Sequence, residues 1–141
     1  MDLKEALGAR EAASSQKFSI YLPDRDSENN EVPGFEAWVD AALALMIDIN
    51  GGATKLPPAV GVWRSQGGAE TRENTSIVYS FIRDPDGFES GIGQIAAFLH
   101  KFGRETGQGE VMVEFEGEQG DRYVSRSYFI DEYRPASAAV S

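Results

Sequence analysis

A change of period within one short stretch constrains the fold of this chain more than any other feature. Phe88, Ile92, Ile95, Ala96, Leu99 and Phe102 recur at helical spacing, the stripe that an amphipathic helix buries. At Val111, Val113 and Phe115 the apolar residues alternate with polar neighbours instead, the period of a strand with one covered face. Between them lies Gly103-Arg104-Glu105-Thr106-Gly107-Gln108-Gly109-Glu110. A helix that hands its chain so directly to a strand must fold back on the sheet which that strand joins. The glycines let the backbone turn tightly or approach another group. Connections held on a rigid scaffold are also where functional side chains gather.

The rest of the chain repeats this exchange of periods. Phe18, Ile20 and Leu22 alternate with Ser19 and Tyr21 in a first strand closed by Pro23. The polar stretch Asp24 to Glu31 follows; its acids resemble a calcium loop only superficially, since the glycine and terminal glutamate of that motif are missing. Phe35, Trp38, Val39, Ala42, Leu45, Met46 and Ile49 predict a first helix of about four turns, ended by Gly51-Gly52. At this spacing Trp38 and Met46 read as core, not as a cofactor box.

Leu56 to Trp63 reads as a second strand, irregular or at an edge because of Pro57-Pro58. After a turn at Gly67-Gly68, Asn74 to Arg83 forms a third strand with apolar residues on both faces. Ile77, Tyr79 and Phe81 lie on one face, Val78 and Ile82 on the other. That predicts a central strand, with helices over one side and a second copy of the chain over the other. Asp84-Pro85 starts the second helix. Its Gly91 and Gly93 each cost about 1 kcal/mol relative to alanine and suit close packing on the sheet. Glu110 to Glu116 is a fourth strand, and a turn at Glu118 to Asp121 leads into a fifth from Arg122 to Ile130.

The order is strand, helix, strand, strand, helix, strand, with one strand added. It predicts an α+β, ferredoxin-like (βαββαβ) antiparallel sheet with two helices on one face and an extra C-terminal hairpin strand. The 141 residues suit one domain. Its expected span is 17–134, with a flexible arm at 1–16 and a flexible tail at 135–141.

Composition narrows the chemistry. Without cysteine there is no disulfide framework, thiol nucleophile or thiolate metal site. A formal charge of −10 argues against nucleic acid and anionic membranes, whose phosphates need clustered Lys and Arg. No apolar run approaches the roughly 18 residues of a membrane span. The acidic N-terminal residues lack a secretory core, so a cytoplasmic location is expected. The single histidine, His100, reads as a boundary residue near a helix end or as a general base. Nothing matches a histidine-rich metal set, a nucleophile elbow, a phosphate loop or a dinucleotide fingerprint, so no metal or other cofactor is expected.

Carboxylate and aromatic chemistry remains. Glu73 opens the central strand, Trp63 and Arg64 close the preceding one, and Arg104, Glu105 and Gln108 precede the fourth. Tyr79 on the central strand joins this set. Two acids in unlike environments can divide acid and base work, burial raising one pKa while an arginine (Arg64, Arg72 or Arg104) lowers the other. Structural ion pairs and loop caps are the plainer alternative.

Gly61-Val62-Trp63-Arg64, then Glu73, then Glu105-Thr106-Gly107-Gln108-Gly109-Glu110-Val111-Met112-Val113 resemble motifs of the small phage S-adenosylmethionine lyases. In that family Gly-x-aromatic-Arg precedes a Glu-bearing strand, and Glu-x-x-Gln-x-x-Val-x-Val follows. The resemblance covers about half the chain, through short motifs, and the family has tyrosine where this chain has Trp63. It implies a ferredoxin-like homo-oligomer that promotes intramolecular displacement of methylthioadenosine from S-adenosylmethionine, giving homoserine lactone without a cofactor. Glu73 and Glu105 would be the catalytic pair; Trp63, Arg64, Tyr79, Arg104 and Gln108 would bind a small, cationic ligand. Two other classes stand beside it. One is a non-catalytic acidic binding protein (inhibitor, antitoxin-like factor or accessory subunit) docking on a basic protein partner. The other is a small-molecule sensor. An enzyme gathers Glu73, Glu105, Gln108 and Trp63 around one concavity, whereas a binder spreads its acids over an exposed face.

Overall fold

A computed structural model describes residues 1–10, 14–64 and 67–133. The elements are α1 (Leu3–Ala6), β1 (Gln16–Pro23), α2 (Phe35–Asn50), β2 (Thr54–Lys55), β3 (Ala59–Arg64), β4 (Glu70–Phe81), α3 (Pro85–Thr106), β5 (Val111–Gln119) and β6 (Arg122–Ile130). The strands form one six-stranded sheet in the order β2-β4-β1-β5-β6, with β3 also paired to β4. Every pairing is antiparallel. This is an α+β architecture, consistent with a ferredoxin-like arrangement.

Alternation on the strands decides which face is covered. Phe18, Ile20 and Leu22 of β1, Val78 of β4, Val111 and Val113 of β5, and Ile82 just past β4 turn to one side. There they meet Val39, Ala42 and Met46 of α2 and Ile95, Leu99 and Phe102 of α3 in one core cluster. Both long helices therefore share a face. Burying each large apolar side chain contributes roughly 1.5–3 kcal/mol. Trp38 and Met46 belong to this packing, Met46 fully buried and Trp38 edge-on to Phe102 at 5.4 Å. α2 stops where Gly51 takes a left-handed φ of 83° and its N–H bonds Ile47 O, a conformation that disfavours side chains other than glycine's.

Several boundaries differ from those read in the sequence. Pro57-Pro58 divides the second strand, leaving the short β2 and then β3, both along β4. β4 begins at Glu70, so Glu73 lies within the strand and does not open it. Cross-strand pairing with β3 over Ala59↔Thr75 to Arg64↔Glu70 extends it. Gln16, expected in the arm, is in β1 opposite Gly117. In the arm itself, α1 buries no residue. The tail 135–141 lies outside the described residues. Asp84 occupies the cap position of α3, but its side chain makes no capping bond. Gly91 packs against the other helix and not the sheet, since a Cβ there would meet Ile49 at 2.9 Å. Gly103 lies under Tyr133, whose ring would be 2.1 Å from an added Cβ. Among the described residues no helix is long and apolar enough to cross a membrane.

Candidate functional site

The face of the sheet away from α2 and α3 carries the odd-numbered residues of β3 and β4. Their register sets Gly61 opposite Glu73 and Trp63 opposite Thr71. Trp63 stands two residues beyond Gly61, so on a strand both point to the same side. With no side chain at Gly61, the indole folds back across it, and the indole N–H donates to Glu73 Oε1 at 2.5 Å. A Cβ on Gly61 would lie 3.0 Å from Trp63 Nε1, 3.2 Å from Thr75 Oγ1 and 3.5 Å from Glu73 Cγ. The three side chains converge over that bare Cα.

The opposite wall joins the loop after β1 to the corner after α3. Asp24 N–H donates to Asn74 O at 2.9 Å, and Asn74 N–H donates to Asp24 Oδ1 at 3.0 Å, tying the loop to β4. Asp26 Oδ1 accepts from Glu28 N–H and Asn30 N–H, both at 2.9 Å, the short-range capture that makes aspartate a turn former. At the corner, Gly107 ends α3 with φ 70°, and its carbonyl accepts from Ser27 N–H at 2.9 Å. Gln108 Nε2 donates to Arg25 O at 3.0 Å and Thr106 Oγ1 at 3.1 Å. The acids that mimic a calcium loop thus build a turn. Among the described residues no group of three or more acidic or histidine side chains is placed to hold a metal.

These walls enclose a hollow of about 230 Å³ whose lining includes Trp63, Glu73, Thr75, Tyr21, Gln108 and Phe129. Burial raises the Glu73 carboxyl above its ordinary value; the Trp63 bond opposes this, and nearby Asp24 adds to it. Tyr21 donates its hydroxyl to Glu114. Burial first, then that carboxylate, pushes its phenol up to about 12, so it is neutral at physiological pH. Arg64 at the rim is paired with Glu70 at 3.1 Å and is largely exposed. A half-buried carboxylate, an indole face and a neutral phenol suit a ligand with a flat ring and hydroxyl or cationic groups.

Of the candidate residues read in the sequence, Trp63, Arg64, Glu73 and Gln108 line this hollow and Glu105, Arg104 and Tyr79 do not. Arg104 and Glu105 are exposed on the last turn of α3, because Phe102, Gly103 and Thr106 occupy its inward positions. Tyr79 shares the open face with Glu73 but lies about 20 Å further along β4 at the rise of a strand, with Lys17 Nζ 5.2 Å from its ring centre. His100 contacts Tyr133, ring centres 6.0 Å apart, and does not line the hollow. Sequence reading missed Tyr21, Thr75, Met112 and Phe129, which the register of β1, β4, β5 and β6 brings to this end of the sheet. The signal was present in the outward positions opposite each buried stripe. A larger hollow of about 660 Å³ between α3 and β5–β6 is lined mainly by apolar residues such as Phe88, Ile92 and Tyr128.

Fold and hollow together define an α+β protein with a small polar-and-aromatic pocket at one end of its open sheet face. The chain is similar to a phage SAM lyase solved in complex with S-methyl-5'-thioadenosine: 14% identity, TM-score 0.57, covering 89% of this chain and 97% of that one. It is also similar to a phage SAM lyase in the apo state: 19% identity, TM-score 0.57, covering 86% and 93%. At such identities the likeness is one of fold. No family model matches the chain, and no curated protein matches it.

Proposed function

We propose that this protein is a ferredoxin-like enzyme of the S-adenosylmethionine lyase kind, acting in the hollow between β3, β4 and the corner after α3. The observation that carries the reading is the meeting of Trp63 and Glu73 over Gly61 inside that hollow. The fold likeness to phage SAM lyases supports it.

The reaction needs little from the protein beyond shape and charge. The substrate's own carboxylate oxygen attacks the methylene carbon next to the sulfonium. The carbon–sulfur bond breaks and its electron pair stays on sulfur, releasing neutral methylthioadenosine. The five-membered ring closes as homoserine lactone. No proton, water or electron is exchanged with the enzyme. The enzyme's part is to hold the chain curled for attack and to keep water away. In this reading the Glu73 carboxylate faces the sulfonium end, and the Trp63 face stacks on the base or the cation. Arg64 and Gln108 complete the rim. The open sheet face, where Phe81 and Phe129 stay 49% and 52% exposed, is assigned to self-association, which light scattering checks.

The test is direct. Purified protein incubated with S-adenosylmethionine releases methylthioadenosine, followed by chromatography. Neither product nor binding would overturn the proposal.

A further inference from the structure

The floor of the hollow holds an oddity that the reaction as described leaves unused. Thr75 lines the hollow and is 6% exposed, and its Oγ1 is buried without a hydrogen-bond partner among the described residues. A buried hydroxyl without a partner is costly, and native proteins retain few of them. A threonine in mid-strand has no carbonyl of its own helical turn to bond. Packing does not demand oxygen there either, because valine has the same shape. The position of this hydroxyl gives it a use. Thr75 Oγ1 and Trp63 Nε1 both lie about a contact distance from the place a Cβ on Gly61 would occupy, at 3.2 and 3.0 Å. The indole, still 44% exposed, is held across Gly61 through its N–H bond to Glu73.

We propose that Thr75 is a ligand-binding, specificity-determining residue. When a ligand enters, the Trp63 indole moves off Gly61, and the uncovered Thr75 hydroxyl bonds a hydroxyl of the ligand's sugar, while Glu73 stays turned to the sulfonium end. The site then favours a nucleoside with a free sugar diol over its deoxy counterpart, since a polar group left unpaired in a site is rejected strongly. This inference rests on the nucleoside-binding reading given above and extends it to a residue and a group of the ligand.

Methylthioadenosine is the probe, titrated by calorimetry into wild type, Thr75→Val, Thr75→Ala and Thr75→Ser. The valine variant is expected to bind about tenfold more weakly, equivalent to ~1.4 kcal/mol. Serine is expected to restore most of that loss. Ligand-free Thr75→Val is expected to melt no lower than wild type, because it removes an unpaired buried oxygen and keeps the shape. A purely structural threonine would give the reverse: a lowered melting temperature with unchanged affinity, which overturns the inference. Should the valine variant fail to fold, alanine supplies the same affinity comparison. Wild type that binds neither methylthioadenosine nor S-adenosylmethionine overturns the nucleoside reading itself and this inference with it. Wild-type binding with equal affinity in the hydroxyl-less variants overturns the inference alone.

Discussion

Glu73→Gln separates charge from shape in the hollow. The amide oxygen can still accept the indole N–H that Glu73 Oε1 accepts at 2.5 Å, so Trp63 need not move, and only the negative charge is lost. A carboxylate about 4 Å from a sulfonium, which has no hydrogen to donate, attracts it by ~1 kcal/mol in bulk water and up to ~4 kcal/mol near a protein surface, roughly fivefold to a thousandfold in affinity. If the carboxylate faces the sulfonium, that loss falls on S-adenosylmethionine, and neutral methylthioadenosine binds nearly as before. Calorimetric titration of both ligands into both proteins reads the difference. Equal weakening of the two would refute the charge argument and leave Glu73 as a hydroxyl acceptor. The same variant carries a pH signature. The Glu73 pKa is raised from 4.5, chiefly by burial. Its folded-state protonation therefore stabilises the protein below about 4.5, and that contribution is lost as pH rises through the raised value. Glu73→Gln cannot titrate, so near pH 7 it should melt no lower than wild type, the gap closing as pH falls towards 4.5. Over the same acid range wild type should lose affinity for S-adenosylmethionine but not for methylthioadenosine.

Three further outcomes are expected. Gly61→Ala places a methyl 3.0 Å from Trp63 Nε1 and 3.2 Å from Thr75 Oγ1, which should obstruct the Thr75 hydroxyl and weaken methylthioadenosine binding several-fold, with melting little changed; unaltered binding would mean that the ligand does not use the space over Gly61. Gly103→Ala drives a methyl to 2.1 Å from the Tyr133 ring, an overpacking that costs ~1–3 kcal/mol; a drop of several degrees in melting temperature, removed in the Gly103→Ala/Tyr133→Ala pair, would identify the clash. Glu105→Gln, at an exposed position outside the hollow, should turn over S-adenosylmethionine at the wild-type rate, and a loss comparable to that of Glu73→Gln would return Glu105 to the site.

How much of this was legible in the chain depended on the range of the cause. Helix and strand periods are local, so α2, α3, β1 and β6 fall close to where Phe35 to Ile49, Phe88 to Phe102, Phe18 to Leu22 and Arg122 to Ile130 predict them. The start of β4 is not legible in the sequence because its first residues, Glu70-Thr71-Arg72-Glu73, have no apolar alternation and become a strand only by pairing with β3. Glu105 is near Gln108 in sequence, yet the phase of α3, fixed by Phe102 and Thr106, turns it outward from this hollow. Tyr21 and Thr75 could not be selected without the register that brings β1 and β4 together.

Trp63, where the motif it resembles has tyrosine, then takes on a physical meaning. Trp63 lacks the phenolic hydroxyl, but its indole N–H is a donor, and donation to Glu73 is the use this protein makes of it. A larger ring can reach that carboxylate only by lying across the neighbouring position on the same face. That position is Gly61, where a Cβ would stand 3.0 Å from the indole nitrogen. The spacing Gly-x-Trp and the glutamate opposite it in the register therefore act together, the bare Cα at 61 giving the indole its seat beside Glu73. A side chain at 61 would crowd the indole, Thr75 and Glu73 together, so the glycine serves the whole cluster and not the tryptophan alone.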